Sequence, residues 1–336
     1  MSKSLQAVLR NRPNGHLAQN DVEIVEAVVP DLATGEFIVE NKYITIDFAM
    51  RGWMAEGRSY VPQLDLGEIV RGCATGYVSA SKNPNFKEGD AVSGMLGVRT
   101  HAVSDGDGIF KVDTSKASLR RWAGGLGLTT AITGYLGLLC VGLPNPGETV
   151  LVSGASGGVG SIVGQIARIQ GCKAIGIAGG AEKCERVLSD LGFHACIDYK
   201  AGDLLHSLMA ACPQRIDVLF ENVGGEVLDT SLSWMNSFGR VVLCGLTSDR
   251  NVTGEAKGIM NLRCALVERL TLHGFILFDH SAGYAQAAHD IGNWYSDGLL
   301  CTMQDEQVWQ GGISNFCDAL NDVLAGQNHG KVILEV

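Results

Sequence analysis

The hydrophobic pattern of the chain changes near residue 126. Up to residue 125, short apolar runs such as VEIVEAVV and EFIVENKYITI are separated by clusters of Gly, Pro, Asn and Asp. Such runs are typical of β-strands joined by turns. From residue 126 onward, apolar strand patterns such as TVLVS alternate with helical patterns such as VGSIVGQIARIQ. Alternation of this kind is typical of βαβ units around a parallel sheet.

The two patterns predict an α/β protein with two domains. We expect a β-rich domain over residues 1–125 and a Rossmann-type doubly wound parallel sheet over residues 126–295. The chain ends in KVILEV, which follows a Gly/Asn turn and predicts a strand. We therefore expect residues 296–336 to return to the first domain. A chain of 336 residues is long enough for two hydrophobic cores.

Charge and composition argue against several classes of partner. The formal net charge is −10, with 36 Asp and Glu against 26 Lys and Arg, so the chain repels the phosphates of nucleic acids and of anionic membranes. No apolar run is long enough to span a bilayer, and no secretory leader pattern is visible. The ten cysteines are scattered, without a Cys-x-x-Cys pair. We expect a cytoplasmic protein that binds neither nucleic acid nor membrane.

The sharpest motif is the turn that follows the strand pattern TVLVS. It has the form Ala-x-Gly-x-x-Gly, and the residues expected to contact a dinucleotide are Ala155, Gly157, Gly158, Val159 and Gly160. Gly157 allows backbone amides to approach a pyrophosphate, and Gly160 allows helix and strand to pack closely. The start of the following helix presents a positive dipole to the phosphates. The alternative is a tight turn with a purely structural role.

The next strand pattern indicates which dinucleotide is bound. NAD-dependent enzymes usually carry Asp or Glu at the tip of this strand, where it binds the ribose 2′-hydroxyl. Here KAIGIAGG ends in Ala178, Gly179 and Gly180, and Lys183 follows where it can meet a 2′-phosphate. The pattern therefore favours NADPH as the cofactor. The alternative for Lys183 is an ordinary solvated lysine.

Together with several other motifs, this turn gives the chain a family likeness. The sequence resembles the alkenal/one oxidoreductases, a zinc-independent branch of the medium-chain dehydrogenase/reductase superfamily, through MRG, SYVP, LGEIVRG, SGASGGVGS, DVLFENVGGEVLD, FGRVVLCG and NHGKVIL. The likeness runs nearly end to end. It implies a GroES-like substrate domain beside the Rossmann domain, a homodimer, and NADPH-dependent reduction of the activated C=C bond of small α,β-unsaturated aldehydes or ketones (enals and enones). Hydride would go to the β-carbon and a proton to the α-carbon.

The resemblance also indicates whether the chain carries the ligands of a catalytic zinc ion. Zinc alcohol dehydrogenases of the superfamily carry a Gly-His-Glu segment where this chain has Leu66, Gly67 and Glu68, and residues 40–70 contain neither cysteine nor histidine. A catalytic zinc needs three protein ligands. We therefore expect no metal site.

Further cofactor contacts are implied by the resemblance, which also supports the role of Lys183. The residues at matching positions are Thr133, Lys183, Tyr199, Asn222, Cys244, Gly245, Phe275, Ile276 and Asn328, in addition to Gly179. Lys183 and Tyr199 match positions that hold the adenosine phosphate, and Phe275 and Ile276 match the nicotinamide wall. The alternative for Tyr199 is a strand-end tyrosine, and for Thr133 a helix threonine that bonds its own turn.

The substrate half departs from the family pattern. Ala49 and the segment 248–251 lack the tyrosines of the family, as does the segment that contains His101. The remaining candidates to orient or protonate a substrate are Tyr60, His101 and Arg250, whose alternatives are ordinary surface or strand residues. The departures leave open quinone reduction, oxidation of an allylic alcohol, and an NADPH-binding protein with little turnover.

Overall fold

The computed structural model describes residues 3–248, 258–302, 306–327 and 330–336. The chain forms two compact units. Unit 1 contains Met1–Thr129, Ser281–Ser296 and Gln304–Val336, and unit 2 contains Thr130–His280 and Asp297–Met303. Each unit has its own sheet and its own core.

The strands and helices are numbered in chain order. The strands are β1 (Lys3–Leu9), β2 (Val22–Val28), β3 (Phe37–Thr45), β4 (Ala74–Ser81), β5 (Ala91–Gly94), β6 (His101–Ser104), β7 (Phe110–Lys111), β8 (Thr149–Ser153), β9 (Lys173–Ala178), β10 (Ala195–Asp198), β11 (Ile216–Glu221), β12 (Met235–Leu243), β13 (Thr271–Gly274), β14 (Gln307–Trp309) and β15 (Val332–Glu335). The α-helices are α1 (Ala49–Trp53), α2 (Leu119–Ala123), α3 (Thr133–Leu136), α4 (Gly158–Ile169), α5 (Ala181–Ser189), α6 (Leu204–Ala211), α7 (Gly225–Leu232), α8 (Leu262–Val267), α9 (Tyr284–Ser296) and α10 (Phe316–Ala325). Leu128–Ile132 and Gly137–Gly142 are π-helical, and Leu277–Gly283 and Ile313–Asn315 are 3-10 helical.

Unit 1 is built around a seven-stranded sheet. Its order is β14-β15-β3-β4-β5-β7, with β6 also paired to β3, and a separate antiparallel pair is formed by β1 and β2. Strand β3 alternates buried and half-buried positions over much of its length, which places Phe37, Val39 and Ile44 in the core. The last strand, β15, pairs antiparallel with β3, so the end of the chain completes this sheet.

Unit 2 contains a six-stranded parallel sheet with the order β10-β9-β8-β11-β12-β13. Every residue of β8 is buried, as expected for a strand with helices on both faces. In chain order within this unit the strands run 3-2-1-4-5-6, which is the strand order of the Rossmann fold. The predicted α/β class with a doubly wound parallel sheet and a separate β-rich sheet is therefore confirmed.

The unit boundaries differ from the domain boundaries expected from the sequence. Helix α9 belongs to unit 1, although all of it except its last residue, Ser296, falls in the predicted Rossmann segment 126–295. Its Tyr284 ring makes an edge contact with the Phe110 ring, with centroids 5.5 Å apart. A Cβ on Gly292 would lie only 3.3 Å from the Trp122 ring, so the helix packs closely on unit 1 at this point. An amphipathic helix pattern identifies a buried face but not the core that covers it.

Among the described residues, no helix has the length and apolar character required to cross a bilayer.

Candidate dinucleotide site

The strand order of unit 2 places a topological switch point between β8 and β11. To one side of this point the chain proceeds through β9 and β10, and to the other through β12 and β13. In open α/β sheets, ligands bind outside the carboxyl ends of the strands at such a point. Strand β8 ends at Ser153 and β11 ends at Glu221, so the loops that follow these two residues define the candidate site.

The glycine turn follows β8 directly. Gly154 has a positive φ of 61°, which favours glycine, and a Cβ on Gly160 would lie 2.3 Å from the carbonyl oxygen of Gly154. Helix α4 can therefore pack against the end of β8 only with glycine at position 160. Ala155 is fully buried, whereas Gly157 and Gly158 are exposed.

The start of α4 fits an anionic group. The helix begins at Gly158, no side chain caps it, and within the described part of the chain the amides of Gly158, Val159 and Gly160 donate no hydrogen bond. Such amides and the helix dipole together attract a phosphate. The turn therefore offers the hydrogen-bond donors and the positive dipole that a pyrophosphate requires. A pyrophosphate is the group that the sequence predicts at this turn.

At the tip of β9, the Tyr199 ring packs on Gly179, and both are predicted cofactor contacts. A Cβ on Gly179 would lie 2.8 Å from Cε1 of Tyr199 and 3.1 Å from its hydroxyl, so the tyrosine ring lies directly over the glycine backbone. Lys183 is exposed in the first turn of α5. Tyr199 directly follows β10 and is 45% exposed, which leaves its ring accessible to a ligand.

Sequence reasoning missed Lys200 and Asp198 at this tip. The Cε atom of Lys200 lies 3.2 Å from the position that a Cβ of Gly179 would take, and its ammonium lies 5.9 Å from the centre of the Tyr199 ring. Oδ1 of Asp198 accepts hydrogen bonds from the amides of Gly180 (2.8 Å) and Lys200 (3.0 Å). These two bonds lower the pKa of Asp198. The ionised Asp198 thus fixes the loop after β9 and the loop after β10. Its carboxylate is the hydrogen-bond acceptor of the Gly180 amide.

Asn222, Cys244 and Gly245 lie at the carboxyl edge of the same sheet. The Asn222 side chain donates to the Ser153 carbonyl oxygen at 2.8 Å. The amides of Cys244 and Gly245 both donate to the carbonyl oxygen of Glu221. Burial raises the pKa of the Cys244 thiol to about 12, so this side chain is a neutral thiol at physiological pH.

The other predicted cofactor residues are more deeply placed. Thr133, at the start of α3, is buried, and Phe275 is 3% exposed. The Phe275 ring lies 5.1 Å from the His280 ring, and a Cβ on Gly137 would lie 3.2 Å from it. Ile276 is partly buried. Asn328 lies outside the described residues.

Two of the three predicted substrate residues belong to unit 1. Tyr60 is 52% exposed, and its hydroxyl accepts a hydrogen bond of 2.9 Å from the Trp53 indole. His101 begins β6 and is partly buried, with Nδ1 3.1 Å from Oγ1 of Thr100. Arg250 lies outside the described residues. The roles of Tyr60, His101 and Arg250 stay predictions.

The described residues were also searched for metal sites, and they contain no group of three or more His, Cys, Asp or Glu side chains arranged to hold a metal ion. Cys73, a buried residue of unit 1, has a thiol whose pKa is raised to about 12, chiefly by burial.

The strand order and the glycine turn at its switch point define the class of protein: an α/β nucleotide-binding unit of Rossmann type joined to a β-rich unit. Two family models match the chain. One is described as the N-terminal domain of oxidoreductase and matches residues 5–112. The other is described as zinc-binding dehydrogenase and matches residues 158–291.

Curated relatives match the whole chain. The NADPH-dependent curcumin reductase of Escherichia coli (strain K12) is 34% identical over 98% of this chain and 96% of its own length. A tobacco (Nicotiana tabacum) protein named 2-alkenal reductase (NADP(+)-dependent) is 33% identical over 98% of this chain and 97% of its own length. The crystal structure of CurA from Vibrio vulnificus in complex with NADPH superimposes with a TM-score of 0.81, 35% identity and coverage of 100% of this chain and 99% of that chain. This chain belongs to the alkenal/one oxidoreductase family of the medium-chain dehydrogenase/reductase superfamily.

Proposed function

We propose that this protein is an NADPH-dependent reductase of the activated C=C bond of enals and enones. The observation that carries the proposal is the tip of β9, where the Lys200 side chain lies beside Gly179 and Lys183 is exposed in the first turn of α5. The strand itself ends in Ala178 and carries no carboxylate at its last residue. The names of the full-length relatives support the same cofactor and reaction. The exposed glycine turn supports binding of the pyrophosphate.

Bound NADPH would supply the hydride to the β-carbon, and a proton would reach the α-carbon as the enolate collapses. The residues of the chain then need only to orient the substrate and stabilise negative charge on the carbonyl oxygen. Tyr60 is our candidate for this donor, because the residue is 52% exposed and a phenol hydroxyl that accepts a hydrogen bond, as this one does from the Trp53 indole, also carries an O–H donor. His101 and Arg250 are the further candidates.

The first test measures oxidation of NADPH and NADH in parallel with 3-nonen-2-one and identifies the product by mass. We expect the saturated ketone and a preference for NADPH. An unsaturated alcohol would instead support carbonyl reduction, and turnover of quinones alone would support a quinone reductase. Tight NADPH binding without turnover of enones, quinones or aldehydes would support a binding protein.

A second test addresses the cofactor preference. Lys200→Ala should raise KM for NADPH by about three- to tenfold and leave KM for NADH unchanged, because only NADPH carries the 2′-phosphate. Lys183→Ala should act in the same direction. The matched control is Lys173→Ala at the opposite end of β9. Equal effects on both dinucleotides would contradict a role for these lysines in phosphate recognition.

We also propose a homodimer, formed by a second copy of the chain at the free edge of the unit 2 sheet. Among the described residues, β13 is one of the two edge strands of this sheet, the other being β10, and all four residues of β13 are exposed. Large apolar side chains are also exposed on the neighbouring strand β12 and on the segment that precedes β13: Phe238 is 68% exposed, Met260 83% and Leu266 78%. Exposed apolar residues beside an open strand edge favour association with another protein surface.

Sedimentation velocity tests the proposed dimer. Leu266→Glu should convert the dimer to a monomer, whereas Met209→Glu, an equally simple change of an exposed apolar residue on α6, should leave it intact. A dimer that survives Leu266→Glu and Met260→Glu together would show that the interface lies elsewhere.

The proposed compartment is the cytoplasm. All ten cysteines are within the described residues, and none forms a disulfide. Free thiols in this number are typical of proteins in a reducing compartment.

A further inference from the structure

We propose that the Glu221 carboxyl is a positioning residue for the dinucleotide site, because it ties together the loops that follow β8 and β11 at the switch point. This inference rests on the proposed binding of NADPH. Glu221 is the last residue of β11 and is fully buried, so it cannot be a direct ligand of an exposed cofactor. It acts through the loops it holds.

One oxygen of this carboxyl accepts three hydrogen bonds. Oε1 of Glu221 lies 2.7 Å from Oγ of Ser153, 2.5 Å from the amide of Val223 and 2.8 Å from the amide of Gly224. Ser153 is the residue from which the glycine turn departs, and Gly224 precedes α7. A single oxygen atom therefore links the phosphate turn after β8 with the loop after β11.

The backbone around Glu221 extends the same network. Oγ of Ser153 accepts from the Asn222 amide at 2.7 Å, and the Glu221 carbonyl oxygen accepts from the amides of Cys244 and Gly245. Three loops of the candidate site, after β8, β11 and β12, thus converge on residues 221 and 153. Asn222, Cys244 and Gly245 are all predicted cofactor contacts, so a shift of Glu221 would displace several of them together.

The second carboxyl oxygen of Glu221 has different surroundings from the first. Oε2 of Glu221 is buried and has no hydrogen-bond partner within the described residues. Burial raises the pKa of Glu221, and the bonds to Oε1 do not fully compensate. The upward shift favours the neutral acid over the carboxylate, and in the neutral acid Oε1 still accepts from all three donors.

A neutral Glu221 that acts as an acceptor predicts different effects for two substitutions at position 221. Glutamine has the same shape, retains an oxygen acceptor and is neutral, so Glu221→Gln should preserve the three bonds. Glu221→Leu removes the acceptor and leaves the amides of Val223 and Gly224 without it. Ser153→Ala removes one donor and deprives the Asn222 amide of its acceptor. Ser231→Ala is the matched control, because Ser231 is equally buried and, within the described residues, its hydroxyl donates to the Val227 carbonyl oxygen of its own helix α7 and to no other group.

The experiment measures the Kd for NADPH by nucleotide fluorescence, together with Tm, kcat and KM for each variant. We expect Glu221→Leu and Ser153→Ala to raise Kd and KM for NADPH by about tenfold or more, with a smaller change in kcat. Glu221→Gln and Ser231→Ala should stay within about twofold of the wild type. Ser153→Ala keeps the test decisive if Glu221→Leu does not fold.

Each outcome has a distinct meaning. If Glu221→Gln is as impaired as Glu221→Leu, the carboxylate charge matters and the neutral positioning role is overturned. If Ser153→Ala binds NADPH as tightly as Ser231→Ala does, the link between the two loops is not what positions the cofactor. If the wild-type protein itself binds no NADPH, the proposed function fails, independently of Glu221.

Discussion

Asp47 and Lys331 form an ion pair inside unit 1, with Oδ2 and Nζ 2.6 Å apart and the two side chains 21% and 19% exposed. Burial opposes ionisation of Asp47, but the charge and hydrogen bond of Lys331 and the Ala49 amide outweigh it, so its pKa lies below the ordinary value. We predict that Lys331→Met lowers the free energy of unfolding by about 2 kcal/mol at pH 7, since it leaves Asp47 without its cation. Urea denaturation measures this loss.

The pH dependence of the stabilisation by this ion pair follows from the direction in which the pKa of Asp47 is shifted. Because the pKa of Asp47 is lower in the folded chain, the pair stabilises the protein above about pH 4 and loses this effect as the pH falls through the folded pKa. The difference between wild type and Lys331→Met should therefore shrink below about pH 4. The double variant Asp47→Asn, Lys331→Met should recover part of the loss at pH 7. No recovery would indicate that Lys331 stabilises unit 1 by packing alone.

At the scale of the element, helix α4 and its glycine turn form one structural piece. Gly160→Ala would place a methyl group 2.3 Å from the Gly154 carbonyl oxygen, which forces the helix away from the end of β8. We predict a loss of about 1–3 kcal/mol in stability. We also predict at least about tenfold weaker NADPH binding, measured by fluorescence titration. Gly142→Ala is the control, because its Cβ would meet its nearest neighbour at 3.3 Å, well away from the turn. Unchanged NADPH affinity in Gly160→Ala would contradict the assignment of this turn.

At the scale of the whole molecule, unit 1 depends on contacts between distant parts of the chain. Oε1 of Glu306 accepts from Arg121 at 2.9 Å and from the Gly125 amide at 3.2 Å, and the Glu306 side chain is 1% exposed. Glu306→Ala deprives the nearly buried guanidinium of Arg121 of this partner. We therefore predict a loss of about 3 kcal/mol in the free energy of unfolding, measured by urea denaturation. The exposed contact of Glu335 with Gln310 provides the control, and Glu335→Ala should change stability by less than about 0.5 kcal/mol. A comparable loss in both variants would argue against a special role for Glu306.

Several features of the site could be predicted from the sequence because they depend on neighbouring residues. The strand TVLVS, the glycine turn and α4 are contiguous, and hydrophobic periodicity with glycine spacing is sufficient to define them. The glycine-rich segment 178–180 at the end of β9 is equally local, as is the absence of an acidic residue from that segment. These local signals also explain why the α/β class of unit 2 was predicted correctly.

Features that depend on which strands are adjacent could not be predicted in this way. Ser153 and Glu221 are 68 residues apart and meet only because β8 and β11 are neighbours in the sheet. Lys200 reaches Gly179 because β10 is parallel to β9 and ends at the same edge. Helix α9 falls, except for its last residue, within the predicted nucleotide-binding segment but packs in unit 1.

The sequence alone therefore suffices to predict the elements, the parallel βαβ class, the glycine turn as a phosphate site and a preference for a 2′-phosphate. The folded structure was needed to show that Glu221 joins the loops after β8 and β11. It was also needed to show that Asp198 and Lys200 lie at the tip of β9, and that Glu306 connects the third segment of unit 1 to the first. The physical reason is that periodicity and turn chemistry act over a few residues. Buried hydrogen bonds and ion pairs depend instead on which side chains the folded chain brings within about 3 Å of each other.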